Sequence, residues 1–545
     1  MRKVTTTVAA ALVAFSFAAC NKTNNESVPA KADGTYAQLT FKEAGLRGLT
    51  DGQQDAAGTE GESKISNALF LTTSFTGNQS MTELTGFTAG ANQEAKAYTS
   101  DKFLYAGATG AVESGLIVNG TGRLGANEKI TLAKGGTTME KYAKNDGFLM
   151  SSVSNFGITI NPNVKKEEVA EGNNRFRYTV ERVAAKLQVA APTTGIKVEN
   201  LTSPVNNAVS YVGDVKDTRY AVAGGAMESF IFGDKAGSRT LAGSADPMKY
   251  TGFESAINSE TATSGSGATL KWRKNIQKVS DLVAWTNLTD ADFATLNSLP
   301  ILSSDEYKKS VDNGIFFLEN SINQTGGFLM HDVAHAKIYA TFAFKDTQKV
   351  YTVDNGHVVE GAVADVNKDR EDAVTVTKAW MDKNGIAEDD ADITKSGTDP
   401  NFVYTLKVKI SKGSFFVGDQ TGKVYLTLSA ARLDGNKTTR LFKNGKMYWE
   451  VPANKQPAAD GKTTGYCDTR RNNIYSLNVK TISGLGDNWD NSDPTDPNIP
   501  KPDPKDNPDE PEKPDPKPVD PVENYIQVEA VILQWNLVDR AIDLK

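Results

Sequence analysis

The sequence has little of what catalytic and metal sites are usually made from. Two cysteines, Cys20 and Cys467, and three histidines occur in 545 residues. Two thiols cannot build a disulfide framework once Cys20 is otherwise used, and Cys467 reads as a single thiol beside a strand. His331 and His335 stand four apart, but Asp332-Val333-Ala334 between them lacks the glutamate of the zinc-hydrolase motif, and no carboxylate cluster is placed to complete a site. Asp365, Asn367 and Asp369 begin like a calcium loop, yet Arg370 stands where the turn needs glycine. Gly120, Gly122 and Gly125 satisfy G-x-G-x-x-G, but a dinucleotide site needs a helix next. KITLAKGG follows and reads as a strand, so these glycines are expected in a hairpin turn. No nucleophile elbow, phosphate loop or Cys/His pair is present. The expectation is no enzyme, no cofactor and no metal.

Long apolar runs, helical heptads and a basic excess are also missing. The formal charge is −7, and residues 491–523 alone hold ten acids against four lysines, a net −6. The remainder is nearly neutral and offers no basic face for nucleic acid. That same stretch holds 11 of the 20 prolines. Proline fixes φ and donates no hydrogen bond, so 491–523 reads as an extended, solvated arm able to span ~80–100 Å.

What is present is short alternation. Thr35 to Ala44 places Ala37, Leu39 and Phe41 on one face and Gln38, Thr40 and Lys42 on the other, a half-buried strand. Strand patterns recur in SNALFLTTSF, KFLYAG, SGLIVNG, EKITLAK, GFLMSSV and RFRYTVERVAAKLQVAAP, the last ending at Pro192, where a domain boundary is expected. KIYATFAF, KVYTV, FVYTLKVKI, KVYLTLSAA and NIYSLNVKTI follow, with helical patches expected at Asp290 to Ser298 and Asp372 to Asn384. Beyond the arm, Ile526, Val528, Ala530 and Ile532 alternate with polar neighbours, and Leu533, Trp535 and Leu537 then continue in the opposite phase. The switch suggests a bulge or bend after Ile532. A lone strand leaves its backbone groups and apolar face unpartnered, so this one needs a docking site.

The N-terminus reads as targeting sequence. Met1-Arg2-Lys3 is basic, Val8 to Phe17 is apolar but too short to span a bilayer, and Ala18-Ala19-Cys20 follows. Small residues before a cysteine resemble a bacterial lipobox, with Phe17 where leucine is usual. Attachment would then be by lipid on Cys20. Arg47-Gly48 lies in a polar, glycine-rich segment where nicking is favoured, although a solvated arginine there is also ordinary.

Four segments, TVERVAAKLQV (179–189), SFFVGDQTGKVYLTL (414–428), RRNNIYSLNVKTISGLGDNW (470–489) and IQVEAVILQW (526–535) after its acidic proline arm, resemble the fimbrial shaft subunits of Bacteroidia. The family is the FimA/Mfa superfamily, and the closer likeness is to the Mfa-type major subunit of short fimbriae. The resemblance implies an all-β protein of two transthyretin-like β-sandwich domains, with signal peptide 1–19, propeptide 20–47, domains 48–192 and 193–490, arm 491–523 and donor strand 524–545. It implies lipidation at Cys20, cleavage between Arg47 and Gly48 by an arginine-specific protease, and loss of the strand carrying Ala37, Leu39 and Phe41. A neighbouring copy's Ile526, Val528, Ala530, Ile532 and Trp535 would fill the vacated groove, giving a head-to-tail polymer. Implied partners are other copies, accessory anchor and tip subunits, the protease, and the outer membrane before maturation. The alternative is a monomeric surface lipoprotein or tip adhesin binding glycan or host protein.

Overall fold

A computed structural model of the chain describes residues 34–43, 55–57, most of 62–230, most of 296–360, 391–409, most of 415–488 and 526–536. Cys20, Arg47, Gly48, His331, the arm 491–523, the calcium-like 365–369 and the helical patch expected at 372–384 lie outside the described residues. The fold is all-β. The principal strands, numbered in chain order, are β1 (Thr35–Glu43), β2 (Asp55–Ala57), β3 (Ala68–Ser74), β4 (Ala97–Ser100), β5 (Phe103–Tyr105), β6 (Gly110–Val118), β7 (Met150–Ser152) and β8 (Arg175–Arg182). They continue with β9 (Ala184–Pro192), β10 (Gly213–Ala223), β11 (Ile315–Leu318), β12 (His335–Phe344), β13 (Lys446–Pro452), β14 (Asn473–Gly484) and β15 (Ile526–Asn536).

The first domain is one ten-stranded sheet, eight of whose strands run in the order Gln79–Leu84, β3, β6, β7, β8, β1, β4, Phe87–Ala89, while β5 pairs with β1 and Gly157–Ile160 with β6. Its core gathers Ala37, Leu39 and Phe41 with Phe70, Leu116, Phe148 and Tyr178. Gly120 and Gly122 follow β6 in a turn: Asn119 and Gly122 take positive φ, Arg123 N–H donates to Gly120 O, and the next described strand is Lys129–Thr131. A left-handed backbone is where glycine and asparagine cost least.

In the second domain two sheets enclose one core. In one, β9 lies between β11 (antiparallel) and β14 (parallel). The other runs Asn297–Ser298, β10, β12, β13, Asp487–Asn488. Leu187, Val189, Tyr475 and Leu477 from the first meet Val222, Ile338, Ala340 and Trp449 from the second.

Three details differ from the sequence reading. Residues 184–192, which precede the boundary expected at Pro192, form β9, and it pairs with β11 and β14. Ala184 to Ala191 are all buried, so the run shows no alternating face to assign it to either side. Residues 55–57, assigned to the first domain, form β2 on the second domain's sheet. At the end of the helical patch expected at 290–298, Asn297–Ser298 is a strand paired with β10.

Candidate functional site

The slot of β1. This strand is clasped on both sides. It runs parallel to β8 from Gln38↔Arg175 to Glu43↔Val180 and antiparallel to β4 from Thr40↔Thr99 to Lys42↔Ala97, while its first three residues pair with β5. Ala37, Leu39 and Phe41 are all 0% exposed. The Phe41 ring lies 5.5 Å from Phe87, edge-on, and 5.5 Å from Tyr98, stacked. Polar fastenings follow the strand. Thr35 Oγ1 accepts from Val164 N–H (3.0 Å) and Asn174 Nδ2 (3.1 Å) and donates to Asn161 O (2.7 Å). Leu39 N–H donates to Ser100 Oγ at 3.0 Å, where the partner changes from β5 to β4. Below the slot, burial pushes the Tyr178 phenol well above its ordinary pKa, against a hydrogen bond with Ser114 Oγ at 2.7 Å.

The C-terminal strand. β15 lies on its own chain, antiparallel to β14 from Ile482↔Ile526 to Asn473↔Gln534. Its last residues pair in parallel with β2, Asp55↔Gln534 to Ala57↔Asn536. Ile526 is buried and Val528 half-buried against the second core, whereas Ala530 is exposed. Backbone register sets Ile532 opposite Tyr475 and Trp535 opposite Ala56. No register shift occurs at Ile532/Leu533, where a bend was expected; the shift in this ladder lies between Val479 and Thr481. The change of phase has another physical cause. Tyr475, opposite Ile532, belongs to the second core, and Ile474, opposite Leu533, belongs to the first. In the backbone register, successive residues of the strand thus stand opposite residues of different cores.

The junction. One residue, Val183, separates β8 from β9, so the slot and the C-terminal strand are linked through β8, β9 and β14. Buried charges fix this corner. Arg471 holds Glu319 Oε1 through Nη2 (2.6 Å) and Nε (2.8 Å), and its backbone N–H reaches Glu319 Oε2 at 3.1 Å. Asn472 Oδ1 accepts from Arg182 N and Nη1, both at 3.2 Å. Lys186 Nζ meets Glu62 Oε1 at 2.7 Å with both side chains 1% exposed, and lies 5.3 Å from the Phe316 ring. Buried pairs add little net stability but are costly to break, so they specify geometry.

Among the described residues no group of three His, Cys, Asp and Glu side chains converges on a metal-sized site. His335 is buried, with Nδ1 2.7 Å from Val333 O and Nε2 3.6 Å from Glu450, and Cys467 is packed with Phe328, Met330 and Val333. What the arrangement offers is a strand held between two neighbours in one sheet and a strand near the edge of another. Sequence reasoning missed β2, Glu62 and the Arg471–Glu319 pair. The charges had a signal, Lys186 inside VAAKLQVAA and Arg470-Arg471 directly before a strand. β2 had none, since three residues show no period.

Among solved structures, a fimbrilin from Porphyromonas gingivalis W83 is similar at 14% identity, covering 92% of this chain and 99% of its own, with a TM-score of 0.39. A protein described as a candidate cell adhesion protein from Parabacteroides distasonis ATCC 8503 is similar at 11% identity, covering 93% and 98%, with a TM-score of 0.37. No curated protein sequence matches the chain. Residues 440–540, which hold β13, β14 and β15, match the family model of the major fimbrial subunit protein type IV, fimbrillin, C-terminal.

Proposed function

We propose that this chain is a structural subunit of a cell-surface fimbrium, of the Mfa type, that polymerises by strand exchange. In this reading it is exported as a lipoprotein on Cys20 and cut after Arg47 by an arginine-specific protease. The cut frees β1, and the C-terminal strand of another copy, carrying Ile526, Val528, Ala530, Ile532 and Trp535, takes its place. Accessory anchor and tip subunits would end the polymer. The observation that carries the proposal is the position of β1: a strand inside the sheet, with three side chains fully buried, joined onward only through 44–54. Burying Leu39 and Phe41 stabilises the uncut domain by roughly 3–6 kcal/mol, and an emptied slot regains that only from another strand. The contact is head-to-tail and does not close, so it makes filaments. The fimbrillin match over 440–540 agrees with this role.

A second reading, a monomeric adhesion lipoprotein, is favoured by one observation: β15 already has a partner on its own chain. The size of the mature surface protein separates the two. Wild-type chain should start at Gly48 and give ladders on an unheated gel, and Arg47→Ala should give monomer retaining residues 20–47. A monomeric wild type starting at Cys20 overturns the first reading.

A further inference from the structure

The slot of β1 specifies more than an apolar strand. Its inward positions run Thr35, Ala37, Leu39, Phe41, the last three increasing in bulk along the strand, and each is defined by its surroundings. At the small end, two N–H groups, from Val164 and Asn174, aim at one acceptor atom. At the large end, Phe87 and Tyr98 flank a flat ring. The strand is nine residues long.

We propose, resting on the strand-exchange reading above, that the slot takes Glu529 to Leu537 of a second copy in the direction of β1, with the odd-numbered side chains inward. Glu529 then stands at Thr35, Val531 at Ala37, Leu533 at Leu39 and Trp535 at Phe41. This window is also nine residues, and Val531, Leu533 and Trp535 grow in bulk as Ala37, Leu39 and Phe41 do. Glu529 supplies a carboxylate where two donors converge, and these charge-assisted bonds are stronger than the neutral ones they replace, set against the loss of the bond that the Thr35 hydroxyl donates to Asn161 O. Trp535 enters the aromatic end, where ring pairs add to plain burial. The outward positions agree: Gln534 falls at Thr40, whose hydroxyl lies 3.1 Å from Thr99 Oγ1, a site for a hydrogen-bonding side chain. The opposite phase fits poorly. Setting Ala530 at Ala37 and Ile532 at Leu39 brings Gln534 to Phe41, between two aromatic rings, with an amide that finds no partner there.

The same strand therefore uses different phases in two places. On its own chain Ile526 and Val528, even-numbered, face the second core. In the neighbour's slot the odd-numbered set faces inward, so the strand turns its other face to the partner on transfer. Val531 is larger than the Ala37 it replaces, and it is the position where the slot must give most.

The test uses the full chain, exported and matured in cells. Thr99→Cys is combined with Gln534→Cys or with Leu533→Cys, the single variants serving as controls, and subunits are examined after mild oxidation on denaturing gels without reductant. The expected result is a covalent ladder from the Gln534→Cys pair, at least tenfold stronger than from the Leu533→Cys pair. A ladder from the Leu533→Cys pair alone overturns the assigned phase. Non-covalent ladders on unheated gels with neither pair cross-linked overturn the register and direction while leaving strand exchange standing. No ladder of either kind, wild type included, removes the strand-exchange reading itself.

Discussion

β1 and β15 are both terminal strands that complete a sheet, and they are held in opposite ways. β1 sits between two neighbours with Ala37, Leu39 and Phe41 at 0% exposure, and the Asn174 and Ser100 side chains fasten its backbone at Tyr36 O and Leu39 N–H. β15 lies outside β14 with only the three residues of β2 beyond it, and along it burial declines from Ile526 through Val528 to Ala530. Pulling the first out would open a core, whereas freeing the second would break its ladders with β14 and β2. Strand exchange as proposed needs this difference.

The comparison is broken most directly by truncating each strand. In the uncut chain Phe41→Ala should destabilise the first domain by about 3–5 kcal/mol, as large-to-small core changes do. Val528→Ala should cost about 1 kcal/mol or less, because a half-buried site loses only part of the transfer energy. Equal shifts in urea midpoint would dissolve the distinction. Glu62→Gln should cost about 3–5 kcal/mol through the buried Lys186 ammonium, and amide exchange in 55–57 should rise with it. Unchanged exchange there would detach β2 from that ion pair.

Smaller effects sharpen the contrast. Deleting 524–545 should leave both domains folded, lower the melting of the second by a few degrees, and abolish ladders. Unchanged ladder formation would free the C-terminal strand of any role in assembly. At alkaline pH the buried tyrosines act through ionisation. Burial pushes Tyr211 up to about 12 from 10.0, and Tyr178 is also raised. The unfolded chain loses these protons first, so stability is intact below pH 10 and falls as pH rises toward the folded value. Tyr178→Phe should flatten that loss for the first domain alone, read by denaturation at two alkaline pH values; an identical slope would acquit Tyr178.

Much of this was legible from alternation. TYAQLTF announced β1 and its inward residues because one face is sealed and the other only half-covered. NIYSLNVKTI and IQVEAVILQW announced β14 and β15 as strands. Their partners were not legible, because pairing across β14 and β15 joins segments separated by the proline arm, and period says nothing of distance along the chain. The fully buried β9 misled for the opposite reason: with both faces covered it carries no alternation, and its proline end looked like a boundary. At Ile532 the change of phase was read as a bend, but the ladder with β14 continues in register through Leu533, which the sequence alone does not reveal.

The join of β8 and β9 has a mechanical consequence. A load carried along β8 must turn at the bend of Val183 to enter β9. Ladder bonds lying across a pulled strand are sheared together instead of being peeled one by one. The bonds of Arg471 with Glu319 and of Arg182 with Asn472 brace that turn, so they stand where load passes from one sheet to the other.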